Sequence, residues 1–160
     1  MKQAFLGSLV VLLTAVTCLT RAGTDEPLQA ALRFIQEITH EKSIGDYSGF
    51  WYKAVREHVL ASPEQLKREY AASARVHSLL IRHGGLEQPP HKLVTPAGDI
   101  TYTFPLTRPI IVLQPDEVAL LFPGRTYREY QITLVAEQGQ WKVAGETFVG
   151  EENSPGVPAS

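Results

Sequence analysis

The strongest structural signal in the chain is the segment Tyr130-Gln131-Ile132-Thr133-Leu134-Val135-Ala136-Glu137-Gln138-Gly139-Gln140-Trp141-Lys142-Val143-Ala144-Gly145. Every second residue from Tyr130 to Ala136 is apolar, which is typical of a strand with one buried face. Gln138-Gly139 can turn the chain, and Trp141, Val143 and Gly145 then alternate with Lys142, Ala144 and Glu146. The pattern predicts an antiparallel hairpin that continues to Val149 and buries one face.

The region before this hairpin, residues 86–125, also indicates strands. Pro96-Ala97-Gly98-Asp99 predicts a turn between Lys92–Thr95 and Ile100–Phe104. Two further apolar runs of strand length are Ile110–Leu113 and Val118–Phe122. Proline cannot donate to a strand ladder, so we expect edge positions or breaks at Pro105, Pro109, Pro115 and Pro123. The strand order in this region stays open.

Residues 25–83 instead show helical periodicity. A first apolar stripe follows Pro27, and a second helix is predicted from Asp46 to about Val59. The third helix is the clearest, because Ser62-Pro63-Glu64-Gln65 forms a capping-box arrangement and Gly84-Gly85 ends it. Helices followed by an antiparallel sheet predict an α+β fold, with the N-terminal helices packed on one face of a curved sheet. The first stripe comprises Leu28, Ala31, Leu32, Ile35 and Ile38.

The N-terminal residues are typical of an export signal. One positive charge, Lys2, precedes an apolar run from Phe5 to Val16, and cleavage after Ala22 is expected. We therefore predict a signal peptide over residues 1–22, a folded domain over 23–150, a disordered polar tail over 151–160, and a secreted or periplasmic location. The alternative is a membrane-anchored lipoprotein with its lipid on Cys18, although Thr17 departs from the small residue usual before such a cysteine.

Composition excludes several classes of function. The chain has 160 residues, which suits one domain, and a net charge of −2, which argues against nucleic acid as a partner. A single cysteine excludes a disulfide framework, and no pair of histidines has metal-ligand spacing, so we expect no metal or cofactor. The N-terminal apolar run is too short for a comfortable transmembrane helix, and we expect no stable membrane span in the mature chain.

The layout resembles the NTF2-like superfamily, a group of cystatin-like, cone-shaped α+β proteins. The resemblance is carried by the Gly45-Asp46-Tyr47 turn between the first two helices and by the closing hairpin with Trp141-Lys142-Val143-Ala144-Gly145. It covers residues 25–149 and is greatest to small exported bacterial members of unknown function. The resemblance implies a helix-covered, cone-shaped sheet with a ligand cavity, but no particular activity.

Tyr70 and His77 are the candidate catalytic residues, because both lie on the inward stripe of the third helix. A histidine beside a tyrosine could move a proton near neutral pH. The structural alternative is a core histidine satisfied by hydrogen bonds. Candidate ligand-binding residues are the aromatic side chains and the histidine expected near a cavity: Phe50, Trp51, Tyr70, His77 and Trp141.

Three functions remain open. The first is a non-catalytic module of the cell envelope that binds a small apolar ligand or an envelope protein. The second is a small-molecule isomerase or hydrolase that uses the cone, with Tyr70 and His77 as its proton-handling pair. The third is a dimeric structural or interaction module, in which two copies form a homodimer.

Overall fold

The protein is an α+β domain in which a helical layer covers one face of a four-stranded antiparallel sheet. The computed structural model describes residues 25–39, 44–114 and 121–153. The helices are α1 (Glu26–Thr39), α2 (Ile44–Phe50), α3 (Lys53–His58) and α4 (Pro63–Arg82). The strands are β1 (His91–Val94), β2 (Ile100–Val112), β3 (Arg125–Glu137) and β4 (Gln140–Glu152), paired in the order β1-β2-β3-β4. The predicted signal peptide and Cys18 lie outside the described residues.

The first and last helices form as their sequence signals predict. In α1 the residues Ala31, Ile35 and Ile38 are buried, and Phe34 joins them. The predicted N-cap of α4 is confirmed, since the Ser62 hydroxyl accepts a hydrogen bond from the Gln65 amide at 3.2 Å. Gly84 has a φ of +75°, a conformation that glycine adopts at little cost, and α4 ends just before it.

The second predicted helix begins earlier than expected and is interrupted. Gly45-Asp46-Tyr47, predicted as a turn, lies within α2. Trp51 and Tyr52 separate α2 from α3, and Trp51 forms a parallel bridge with Val143 of β4. The Tyr52 amide donates to the Val143 carbonyl at 3.0 Å. Backbone groups that bond to a strand cannot also continue a helix, so the single helix predicted over this region is wrong.

The strands confirm the predicted turns, and for Pro105 and Pro109 they confirm the edge position and not the break. Gln138 and Gly139 both have positive φ, as in the two-residue turns that join twisted strands. Strand β2 runs through Pro105 and Pro109 with only a register irregularity between Pro105 and Ile110. Because β1 pairs only with Ile100–Thr103, one edge of β2 has no strand beside it there among the described residues. A missing proline N–H is tolerated at such an edge. Of the predicted Val118–Phe122 strand, residues 118–120 are not described, and Leu121 and Phe122 lie outside the strands.

A bulge in β4 changes which residues face the helices. Thr133 pairs with Gly145 but Leu134 pairs with Val143, so Ala144 is an extra residue in the ladder. An extra residue reverses the alternation of side chains beyond it. Glu146 therefore pairs with the buried Ile132 and faces the core, whereas strict alternation from Trp141 places it on the opposite face.

Large aromatic side chains occupy the space between the helices and the sheet, where the resemblance implied a ligand cavity. The biggest of the fully buried side chains are Tyr47, Tyr102, Tyr130, Phe34 and Phe104. Phe34 lies at the centre of one group, with its ring centroid 5.6 Å from that of Trp51 and 4.8 Å from that of His77. Strand β4 extends to Glu152, so the first two residues of the segment predicted as a tail lie in the sheet. Among the described residues, no helix is long and apolar enough to cross a membrane.

Candidate functional site

A carboxylate, a histidine and two hydroxyl groups meet in the core at Glu146. The Glu146 Oε2 atom lies 2.7 Å from His77 Nε2 and accepts a hydrogen bond from the Tyr130 hydroxyl, also at 2.7 Å. The Oε1 atom accepts from the Ser73 hydroxyl at 2.5 Å. His77 is fully buried, and the Glu146 side chain is 8% exposed. The cluster joins α4 to β3 and β4.

The charge on Glu146 sets the direction of the hydrogen bonds around it. An ionised carboxylate only accepts, so His77 carries a proton on Nε2 and Ser73 donates its single hydroxyl proton to Glu146. The Tyr47 hydroxyl, 2.8 Å from the Ser73 hydroxyl and 3.2 Å from the Glu69 carbonyl, then shares its single proton between these two acceptors. A chain of donors therefore runs from α2 through α4 to β4: Tyr47 to Ser73 to Glu146.

The electrostatics of the cluster keep the carboxylate ionised and the phenols neutral. Burial raises the pKa of Glu146, but the adjacent His77 and the hydrogen bonds from Ser73 and Tyr130 outweigh it, so the pKa is below its usual value. Burial, reinforced by the Glu146 charge, raises the pKa of Tyr130 well above 10. Burial likewise raises the pKa of Tyr47. A buried charge with three donors is stable in the core, whereas an unpaired one is not.

Tyr70, predicted as the proton-handling partner of His77, packs against Tyr47 instead. The groups brought to the His77 ring are Glu146, Tyr130 and Phe34, with the His77 and Tyr130 ring centroids 6.4 Å apart. The half-buried Tyr70 instead packs edge-on against Tyr47, with the ring centroids 5.5 Å apart. Among the described residues, His77 Nδ1 has no hydrogen-bond partner. The partner of His77 is thus a carboxylate from the sheet, 69 residues away in sequence.

Glu146 is the residue that the sequence analysis missed. Its position next to Gly145 held a usable signal, because a glycine inside a strand often marks a bulge. A bulge at this glycine predicts that Glu146 lies on the inner face of the sheet. The identity of its partners, however, depends on contacts between β4 and α4 that no local pattern contains.

A second feature is an open groove of about 700 Å³ on the outside of the helical layer. Phe50 and Trp141, both half-buried, supply aromatic surface to it. Of the predicted ligand-binding residues these two line the groove, whereas Trp51 and His77 lie in the core. The remaining lining comes from α1, α2 and the start of β4: Glu26, Gln29, Ala30, Arg33, Glu37, Asp46, Gly49, Gln140, Lys142 and Val143.

Charged groups give the groove both signs of charge. Arg33 and Lys142 are cationic, and Glu26, Glu37 and Asp46 are anionic. The Lys142 ammonium donates to the Gly49 carbonyl at 2.6 Å and so connects β4 to the C-terminal end of α2. Aromatic surface bordered by charges of both signs suits a ligand with an apolar part and polar groups.

The arrangement of potential metal ligands limits the chemistry open to the buried cluster and to the groove. Within residues 25–39, 44–114 and 121–153, no three histidine, cysteine, aspartate or glutamate side chains are arranged to hold a metal ion. The chain matches no protein-family model, and neither a curated protein nor a solved structure is significantly similar to it.

Proposed function

We propose that the chain is an exported, single-domain, non-catalytic binding module of the NTF2-like type that holds a small amphipathic ligand in the groove. The observation that carries the proposal is the pair Phe50 and Trp141, whose aromatic surface borders a groove of about 700 Å³. Ligand sites of small molecules are concave, contain aromatic surface and have a few polar groups for orientation. The volume lies within the range of sites for drug-sized molecules.

Burial of the acid–base groups favours binding over catalysis. A general base must reach the proton that it removes, within hydrogen-bond distance or through one water. His77 is fully buried and its Nε2 proton is committed to Glu146. Phe34 and Tyr130 pack edge-on against the His77 ring. The cluster is thus arranged to fix α4 on the sheet.

Export is supported by the sequence alone. The single positive charge, the apolar run from Phe5 to Val16 and the small residue Ala22 are the parts that a signal peptide needs. The NTF2-like assignment is supported by the helices on one face of an antiparallel sheet and by the closing hairpin that ends at Glu152. Both features are what the resemblance implies.

Native mass spectrometry of the protein purified from its natural host tests the proposal. The wild type is compared with Trp141→Ala, which removes aromatic surface from the groove, and with Arg128→Ala as a control. Arg128 is exposed on β3 and pairs with Glu151, outside the groove lining. We expect a non-covalent adduct on the wild type and on Arg128→Ala, and a large loss of that adduct from Trp141→Ala.

Two results would contradict the proposal. One is a wild-type protein that carries no adduct under conditions in which folded structure is retained. The other is equal occupancy in all three proteins, which would place the ligand away from Trp141. Circular dichroism of each variant confirms that the comparison is made between folded proteins.

A further inference from the structure

Helix α2 forms one wall of the groove, and it is too short to be stable alone. It has seven residues, whereas isolated helices of fewer than about 12 residues are marginal in water. Its position therefore depends on contacts with the rest of the domain. Asp46, Gly49 and Phe50 contribute to the groove, while Tyr47 points into the core and is fully buried.

Two side-chain connections link α2 to β4, in addition to the backbone bond from Tyr52, just after the helix, to Val143. One runs through the core and the other crosses the groove. The core connection is the chain from Tyr47 through Ser73 to Glu146, with oxygen–oxygen distances of 2.8 and 2.5 Å. The Tyr47 hydroxyl also lies 3.2 Å from the Glu69 carbonyl of α4. The connection across the groove is the bond from Lys142 to the Gly49 carbonyl, at 2.6 Å. The same strand thus holds both faces of α2.

We infer that the hydrogen-bond chain Tyr47–Ser73–Glu146 positions α2 as the wall of the groove, so that the core controls the shape of the binding site. The biological meaning of this positioning rests on the proposed function of the groove. Tyr47, Ser73 and Glu146 touch no ligand in this account. They act through α2, whose displacement would separate Gly49 from Lys142.

The labelling rate of the Lys142 amine reports this geometry without any ligand. An ammonium group that donates to a carbonyl reacts slowly with an acylating reagent, and it reacts faster when the bond opens. Limited acylation followed by peptide mass spectrometry measures Lys142 against the exposed Lys67 of α4 in the same sample. Hydrogen exchange of residues 44–50 gives a second measurement of the same displacement.

The variant Tyr47→Phe removes only the hydroxyl, and Tyr127→Phe is its matched control. Tyr127 is also buried, and its hydroxyl accepts a hydrogen bond from the Phe122 amide at 2.9 Å. It lies eight residues along β3 from Val135, the partner of Lys142, which is a distance of more than about 20 Å. Tyr47→Phe loses the contacts to Ser73 and to the Glu69 carbonyl, and Tyr127→Phe loses the bond from the Phe122 amide. Both variants are therefore expected to lower the midpoint of urea unfolding.

We expect Tyr47→Phe to raise Lys142 labelling and α2 exchange about five-fold, the factor that corresponds to the loss of one typical hydrogen bond. Ser73→Ala is expected to act in the same direction. Tyr127→Phe is expected to leave both rates unchanged. Equal rates in Tyr47→Phe and the wild type, or equal increases in both tyrosine variants, would overturn the inference. Because no ligand is present, this result is independent of whether the native protein carries an adduct.

Discussion

Replacing Glu146 with glutamine tests the buried cluster most severely, because the change keeps the shape of the side chain and removes its charge. The carboxylate accepts three hydrogen bonds, from Ser73, His77 and Tyr130. A hydrogen bond to a charged group contributes about 1.5–3 kcal/mol and one between neutral groups about 0.5–1.5 kcal/mol. Each of the three bonds therefore loses about 1 kcal/mol.

The orientation of the new amide decides whether the cost is larger. An NH₂ group at the Oε2 position would face the donors of both His77 and Tyr130. At the Oε1 position it can donate to Ser73, whose hydroxyl can then turn toward Tyr47. We therefore expect the amide nitrogen to face Ser73 and the total loss to be about 3 kcal/mol. For a domain of this size, that is a fall of roughly 10 °C in Tm.

Urea unfolding at pH 7, followed by circular dichroism, measures this loss. The control is Glu151→Gln, which removes a carboxylate whose partner, Arg128, is 61% exposed while Glu151 itself is 68% exposed. Exposed ion pairs contribute little, so we expect the control to change the free energy of unfolding by less than about 0.5 kcal/mol. A loss below about 1 kcal/mol for Glu146→Gln would refute the claim that the cluster holds α4 on the sheet.

Three further predictions concern pH and the end of α4. The pKa of Glu146 is lower in the folded protein than its ordinary value of 4.5. The contribution of the Glu146 charge to the free energy of unfolding is therefore complete above pH 4.5 and is lost as pH falls through the pKa of the folded protein. The stability gap between wild type and Glu146→Gln is therefore expected to narrow below pH 4.5, and a gap that widens in acid would contradict this. Burial raises the pKa of Tyr47, Tyr102 and Tyr130 above 10. The stability of the fold is therefore expected to fall as pH rises past 10, and the phenolate absorbance of these tyrosines is expected to appear together with the loss of circular dichroism. Ionisation of these phenols while the native spectrum persists would count against their burial. Gly84→Ala is expected to cost about 2 kcal/mol or more in urea unfolding, since it combines a φ of +75° with a Cβ only 1.9 Å from the Thr107 hydroxyl, and a neutral effect would show that the end of α4 is not tightly packed.

Local signals in the sequence predicted those elements whose stabilising contacts are also local. The Ser62 cap, the end of α4 before Gly84 and the Gln138-Gly139 turn all follow from backbone conformations within a few residues. The apolar stripe of α1 was confirmed because its burial needs only one continuous partner surface. These elements established the α+β class before any tertiary contact was known.

Contacts distant in sequence explain the expectations that proved wrong. The helix predicted over 46–59 is divided because Trp51 and Tyr52 bond to Val143, about 90 residues further along the chain. Of the two outcomes expected for Pro105 and Pro109, the edge position is confirmed and the break is not, because β1 is too short to pair with β2 at these prolines. Neither the length of a neighbouring strand nor a distant backbone partner is visible in a local pattern.

The candidate site was predictable only in part for the same reason. His77 was placed correctly on the inward face of α4, but a bulge at Ala144 supplied Glu146 as its partner in place of Tyr70. Phe50 and Trp141 were predicted as ligand-binding residues from their aromatic character. Their meeting in a groove outside the core, however, depends on how α1, α2 and β4 pack.

Hydrogen exchange with and without the native ligand tests the central claim, that the ligand binds in the groove between α1, α2 and β4 and not in the interior of the protein. Protein purified from the natural host is compared with the same protein after unfolding, removal of small molecules and refolding, and again after the removed material is added back. We predict that bound material slows exchange in residues 26–37, 44–50 and 140–143. Slowing confined to residues 73–80 and 130–134, around His77 and Glu146, would contradict the account and favour a site in the interior.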